Sequence, residues 1–345
     1  MNKQKSMRYD QQDYEALLAS NIPASIAGVP SMNFDDAEAA SIFFARELDY
    51  VKSQSYDVEY PEFTALKLFP MSSEVDPGAE TVTYYSYDKV GLAKIISNYA
   101  TDLPRADVKG KPTTAIIKSI GDSYGYSVQE MRASRMAGKN LDVRKAESAR
   151  YQIDYLCNKI AWNGDKETGL KGVLSEGNDV PLYVLANGAS GKTTWADKTA
   201  DEILADLTGM QKQMATVTKK VEKADTLALP SYAYIELANK RIESTATTLL
   251  KYIQDNLPDI KEIVSCPELD DDSVETNPYA KTDGTGKGVA LFFKNDARKL
   301  TIETPLSFMQ YPAQTQGLEV VVPCEARIAG AMIYYPMSML IAVGV

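Results

Sequence analysis

Apolar residues recur at steps of mostly three and four between Leu141 and Trp162, the longest regular pattern in the chain. Leu141, Ala146, Ala149, Ile153, Leu156, Cys157 and Ile160 share one face, while Asp142, Arg144, Lys145, Glu147, Arg150, Asp154 and Lys159 mostly fall elsewhere. The spacing predicts one amphipathic rod of roughly 30 Å at 1.5 Å per residue. Asp142 lies near its start, Asn163-Gly164-Asp165 stops it, and Gly169-Leu-Lys-Gly-Val-Leu174 follows as a glycine-bearing shelf. A shorter helical stretch from Ser127 precedes the rod and breaks at Gly138-Lys139-Asn140. A rod with a defined stop reads as a mechanical part; nothing in it is arranged like a reactive centre.

Other patterns surround it. Residues 1–35 are polar, small and proline-bearing, and read as an extended arm. Asn33 or Asp35 would cap a helix running to Tyr50. From Ser55 the texture alternates by two in Tyr56–Tyr60, Ala65–Phe69 and Thr81–Tyr87. Asp76-Pro77-Gly78-Ala79-Glu80 is turn chemistry between these runs. The pattern predicts a long hairpin with a polar tip at 72–80. A lone hairpin is marginal in water, so its tyrosine-rich strands need cover, from this chain or a neighbour. Asp102–Val108 reads as an irregular linker and Ala115–Ile120 as a strand. Val180–Leu185 reads as a strand; from 199 to 293 strands and helices then alternate, with strands at Asp225–Pro230, Ile260–Val264 and Val289–Phe293, a helix capped by Thr199 with Glu202 closing a capping box, and two helical patches within 232–256. The last 45 residues are strand-rich. The fold class is α+β.

Composition narrows the chemistry. The 345 residues carry a net charge of −10 and no histidine. That removes the commonest general base, the commonest metal ligand and the usual partner of a serine or cysteine nucleophile. Strong phosphate gripping needs clustered Lys and Arg, and only Lys3, Lys5 and Arg8 cluster at an end. Cys157, Cys266 and Cys324 have no metal or disulfide spacing and read as small apolar residues. No secretory signal or membrane-length apolar run is visible, so a soluble protein made inside a cell is expected. No catalytic residue, cofactor or metal site is expected.

Ala186-Asn-Gly-Ala-Ser-Gly-Lys192-Thr193 resembles a loosened phosphate loop, and an enzyme binding nucleotide through Lys192 and Thr193 is the alternative of another class. That chemistry needs a helix starting at Gly-Lys-Thr, yet the cap falls at Thr199. Asp270-Asp271-Asp272 lacks the spacing of a calcium loop, and Gly284–Gly288 precedes a strand, so both read as surface loops.

The order of parts is distinctive, and several segments carry a family likeness: Asp76-Pro-Gly-Ala-Glu-Thr-Val-Thr-Tyr84, Tyr87-Asp-Lys-Val-Gly-Leu-Ala-Lys94, Asp102-Leu-Pro-Arg-Ala-Asp-Val108, Ala161-Trp-Asn-Gly-Asp165 with its shelf, and Arg327-Ile-Ala-Gly330 with Tyr334-Tyr-Pro336. From about residue 35 onward the chain resembles the major capsid proteins of tailed bacteriophages with the Hong Kong 97 fold. The resemblance implies an N-terminal arm (1–54), an extended loop (55–100) whose tip, Asp76–Glu80, contacts a neighbour, a peripheral domain (101–198) with a spine helix packed through Leu141, Ile153, Leu156, Ile160 and Trp162, an axial domain (199–300), and strands returning to the peripheral domain (301–345). It implies a virion structural protein, made in the host cytoplasm, that self-assembles as hexamers and pentamers of an icosahedral capsid. Its partners would be itself, a portal, scaffold or decoration proteins, and DNA held only weakly, with no membrane. A protein nanocompartment shell of the encapsulin kind is the alternative within the fold.

Overall fold

The computed structural model describes residues 62–90, 107–137, 141–243, 245–283 and 285–345, without the side chains of 88–90, 109, 137 and 141–143. A short helix, α1 (Ala65–Leu68), leads to β1 (Met71–Ser72), β2 (Thr81–Val90), β3 (Asp107–Ile116) and β4 (Lys118–Ser127). Then come α2 (Val128–Ala137), the rod α3 (Leu141–Asn163), β5 (Gly164–Asp165), β6 (Leu170–Lys171) and β7 (Leu182–Val184). The α/β region follows: α4 (Ala200–Val217), β8 (Thr226–Leu229), α5 (Ser231–Asn239), α6 (Leu249–Asn256), β9 (Glu262–Ser265) and β10 (Val289–Phe293). The chain closes with β11 (Leu300–Glu303), β12 (Leu306–Gln310), β13 (Gln314–Gln316), β14 (Glu319–Ile328), β15 (Gly330–Ile333) and β16 (Met339–Val343).

The hairpin is displaced from its expected place. β2 pairs antiparallel with β3, in register from Thr81–Ile116 to Val90–Asp107. The expected first strand at Ala65–Phe69 is instead α1, with Ala65, Leu68 and Phe69 buried. Positions i, i+3 and i+4 satisfy a helical turn as well as a short alternation, and burial decides for the helix. Asp76–Glu80 therefore forms a turn at the hairpin's root, and the segment joining β2 to β3, residues 91–106, lies outside the described residues. The arm at 1–54 and the helix expected at 33–50 also lie outside them.

α3 has 23 residues, about 34 Å at 1.5 Å per residue. Ala149, Ile153, Cys157, Ile160, Ala161 and Trp162 are buried. Leu156, expected in the packed stripe, is 38 % exposed. It falls roughly 60° to one side of Ile153 on an ideal helix, at the margin of the stripe, and Cys157 carries the buried face onward. Between Ala161 and Trp162 in projection, Asn158 is buried too and forms a polar junction. Its side-chain oxygen accepts from the Ala65 amide (3.0 Å), and its Nδ2 donates to Glu268 (2.9 Å). Glu268 also accepts from the amide (2.9 Å) and hydroxyl (2.6 Å) of Thr64. Three stretches distant in sequence are tied together at one buried carboxylate.

The rod ends inside the core, where its last carbonyls have no intrahelical partner. The shelf supplies them. Val173 N–H donates to Ala161 O (2.8 Å), Leu174 N–H to Trp162 O (2.8 Å), and Ser175 Oγ to Asn163 O (2.6 Å). This approach requires Gly172, where a Cβ would lie 2.3 Å from the Gly164 nitrogen and 2.6 Å from Ile160 O. Gly164 itself has φ +73°.

Three sheets surround α3. β4 and β14 pair along ten residues, with β12 and β13 sharing the other edge of β14. A second sheet runs β1-β11-β15-β6-β5. The third, β7-β16-β10-β8-β9, is mixed and separates two cores. Ala228, Leu291, Phe293 and Ile341 join the α3 core; Leu227, Leu229, Phe292 and Leu340 face α4, α5 and α6. A strand buried on both faces reads as a continuous apolar run. This explains why β16, expected to return to the rod's side, instead pairs with β10 in the α/β sheet. The capping box is present: Thr199 N–H donates to Glu202 (2.8 Å), and the Glu202 amide donates back to the Thr199 hydroxyl.

Gly172→Ala should destabilise the subunit by several kcal/mol, on the order of 4, because backbone must move on both sides. Gly177→Ala, where φ is +84° and no atom lies within 4 Å, should lose about 1–2 kcal/mol. Urea unfolding midpoints of the two variants measure the difference; similar losses would refute the close-approach argument.

Candidate assembly interface

The hairpin's root is pinned. Tyr84 donates its hydroxyl to Ile333 O (3.0 Å) and meets the Tyr334 ring edge-on, with centroids 4.9 Å apart. The hydroxyls of Tyr334 and Thr301 are 2.9 Å apart. At the preceding turn, Asp76 accepts from the Gly78 amide (2.7 Å), Ala79 N–H donates to Asp76 O (2.9 Å), and Arg327 donates to Pro77 O. Asp76, Pro77, Gly78, Ala79 and Glu80 thus brace the root. Beyond it a cleft of about 500 Å³ separates the inner face of the strand pair from β15 and residues 177–179.

The outer face is apolar. Register places Thr81, Thr83, Tyr85 and Tyr87 on it with Val108, Gly110, Pro112 and Thr114, while Ile116 at the root reaches back toward Gly169. Tyr85 is 62 % exposed, Tyr87 70 % and Val108 57 %. The two tyrosine rings stack at 6.4 Å and 21°, and Tyr87 lies across Gly110, where a Cβ would come within 3.0 Å of the ring. Apolar side chains gathered on one face and left in water make that face a candidate interaction surface. The second strand escaped the sequence reading because Asp107–Pro112 is charged and glycine- and proline-bearing; the Thr113-Thr-Ala-Ile116 run was the available signal.

A second aromatic surface lies on the flank of α3. Phe63 and Tyr151 rings are 4.9 Å apart, and Tyr151 stacks on Tyr155 at 6.5 Å. They line a cleft of about 310 Å³ closed on the far side by Pro267 and residues 272–276. Tyr155 donates to Glu275, and that hydrogen bond pushes its hydroxyl up to about 12.

Of the residues expected to pack the rod, Ile153, Ile160 and Trp162 meet in one core, while the Leu141 side chain is outside those described. The phosphate-loop candidate has the wrong geometry. Thr193 lies seven residues before α4, and Lys192 pairs with Asp197 at 3.2 Å. Glu202 accepts from the Ala189 amide (2.7 Å), so a carboxylate occupies the place a phosphate would need. Trp195 and the buried Lys198–Asp206 pair (2.6 Å) fix the rest of the loop. All three cysteines are buried, and burial pushes the thiols of Cys157 and Cys266 up to about 12. Among the described residues no cluster of acidic or cysteine side chains could hold a metal, and no helix is long and apolar enough to cross a membrane.

A rod clamped between sheets, a projecting hairpin and an α/β unit whose sheet divides two cores together make a building block. Several solved structures share this arrangement. The capsid of Myoviridae phage XM1 aligns over 88 % of this chain and 99 % of its own, with a TM-score of 0.73 at 16 % identity. The capsid of a native GTA particle aligns over 90 % and 98 %, with a TM-score of 0.62 at 12 % identity. Mycobacterium phage Ogopogo aligns over 91 % and 99 %, with a TM-score of 0.58 at 10 % identity. At such identities the likeness is one of fold, the Hong Kong 97 type. No curated protein sequence matches the chain. Residues 91–345 match the major capsid protein family, and the chain belongs to that family. It is a structural capsid subunit that self-assembles into the shell of a virion, and its role is not enzymatic.

Glu202 tests the loop. Hydrogen bonds from the Thr199 and Ala189 amides hold its carboxyl below its ordinary value of 4.5. A depressed carboxyl contributes stability above its unfolded value and loses it as pH falls through the folded one. Wild type should therefore exceed Glu202→Gln in urea midpoint at pH 7, with the gap closing below about pH 4. A gap unchanged at pH 3 would contradict the assignment.

Proposed function

We propose that the subunit packs as hexamers and pentamers of an icosahedral shell around double-stranded DNA. The observation that carries this reading is the hairpin, whose outer apolar face is uncovered in the single chain. In a shell a neighbouring subunit would cover it, turning apolar area into association energy. In this arrangement α3 is the spine of a peripheral domain, and the α/β unit, with β7 and β16 in its sheet, stands at the axes of hexamers and pentamers. A portal and scaffold or decoration proteins complete the particle, and the subunit is made in the host cytoplasm before it enters the virion. A net charge of −10 suits a container that encloses DNA without gripping it.

Electron microscopy of the purified protein should show closed shells; monomers or open sheets alone would overturn the reading. Tyr85→Ser with Tyr87→Ser should keep the wild-type circular dichroism spectrum and lower shell yield at least tenfold. Duplex DNA should bind weakly, and tight binding with a steep salt dependence would contradict the container argument.

A further inference from the structure

We propose that Asn187 is a site of spontaneous covalent modification, converting to aspartate and isoaspartate in the folded subunit. The site is independent of the capsid reading.

The chain holds two Asn-Gly pairs, Asn163-Gly164 and Asn187-Gly188. Glycine has no Cβ to shield its nitrogen, and it adopts backbone conformations closed to other residues. Its amide nitrogen can therefore attack the side-chain carbonyl carbon of the asparagine before it. A C–N bond forms, the side-chain nitrogen leaves as ammonia with the glycine amide proton, and a cyclic succinimide results. Water then opens the ring at either carbonyl. One product is aspartate. The other is isoaspartate, whose main chain runs through the former side chain and is longer by a carbon. Water is the only co-reactant.

The two pairs share this chemistry but not their surroundings. Asn163 is half-buried at the end of α3. Its Nδ2 donates to Glu275 O (3.2 Å), and its own carbonyl accepts from Ser175 Oγ (2.6 Å). Gly164 pairs with Lys171 in the β5–β6 ladder, and its nitrogen faces Gly172 across the close approach at the shelf. The side chain and the attacking nitrogen are each held, and neither can turn to the other without breaking the shelf. Asn187 is exposed, and its side chain makes no hydrogen bond among the described residues. It opens a run of small residues, Asn187-Gly-Ala-Ser-Gly191, in which Gly191 has φ +76° and open space around it. Gly188 N–H donates to Lys192 O (2.8 Å), a bond that closes a short exposed loop and that local opening releases readily.

The loop whose sequence imitates a phosphate loop thus carries a different chemistry, and the change bears on α4. Glu202, which caps that helix, accepts from the Ala189 amide (2.7 Å). Its carboxylate oxygens lie 3.1 and 3.2 Å from where a Cβ on Gly188 would stand. A carboxylate at 187 sets a second negative charge close to it, and like charges repel. The extra backbone carbon of isoaspartate also moves Gly188 and Ala189 out of register with Lys192 and Glu202. A subunit built into a shell is not replaced, so the change accumulates as the particle ages.

The test holds the full chain in warm, mildly alkaline buffer for weeks, with a parallel sample in concentrated urea. Trypsin releases Ile160–Lys166 and Gly172–Lys192, which separate the two pairs. Mass spectrometry with electron-transfer fragmentation then assigns amide-to-acid conversion and isoaspartate to each asparagine. In the folded chain Asn187 should convert at least tenfold faster than Asn163, and in urea the two rates should converge. Equal rates in the folded chain, or an Asn187 that keeps its amide while the urea sample converts, overturn the proposal. Glu202→Gln, which weakens the hold on Ala189, should at least double the Asn187 rate and leave Asn163 unchanged; an unchanged Asn187 rate overturns loop opening as the control. Modified and unmodified chains separated by ion exchange should differ in urea midpoint, the modified chain lying lower. Equal midpoints overturn the link to α4.

Discussion

Three carbonyls at the end of a buried helix must find donors, and much of the molecule is arranged around how they do. Ala161, Trp162 and Asn163 point their oxygens into the core, where water cannot serve them. The shelf from Gly169 to Ser175 meets them, at a distance only a glycine at 172 permits. One residue earlier, Lys171 pairs with Gly330, which also has no room for a side chain. Gly330 opens β15, and β15 receives Tyr84 at the hairpin's root. A continuous path of backbone contact thus runs from the end of the rod to the base of the projecting hairpin.

The second tie is polar. Glu268 gathers Thr64, Asn158 and its own segment of the α/β unit, so the rod is held by polar bonds as well as by its apolar stripe. Removing either partner would leave donors buried and unmet, at about 1–3 kcal/mol each. The mixed sheet does the corresponding work between the two cores, and its continuous apolar strands have no solvent face to lose.

Features fixed within a few residues were legible in the sequence. The rod's stop, the Thr199–Glu202 capping box and the fully buried strands at 226–229 and 289–293 stand where local pattern put them. Features fixed by pairing were not. Asp76-Pro-Gly announces a turn without saying which strands it joins, and the true partner of β2 begins 17 residues after that strand ends. Met339–Val343 declares itself a strand but not its sheet, because only the neighbours' burial distinguishes the two places. Leu156 and Cys157 are adjacent, and which one the core takes depends on what covers the helix there. The assembly face was half visible: the tyrosines of β2 stood out, and their cross-strand companions Gly110 and Pro112 looked like linker.

Pro112 has a consequence for how such subunits meet. A proline inside a paired strand must turn its nitrogen to the open edge, so that edge of β3 has a gap in its row of donors. Another strand cannot zip along it as an unbroken ladder. In the proposed arrangement adhesion would be left to the flat face, through contacts that are individually weak. Ladders at edges grow by addition and hold their mistakes, as fibrils do. Faces let a misplaced subunit leave, so a closed object can correct itself while it is being built.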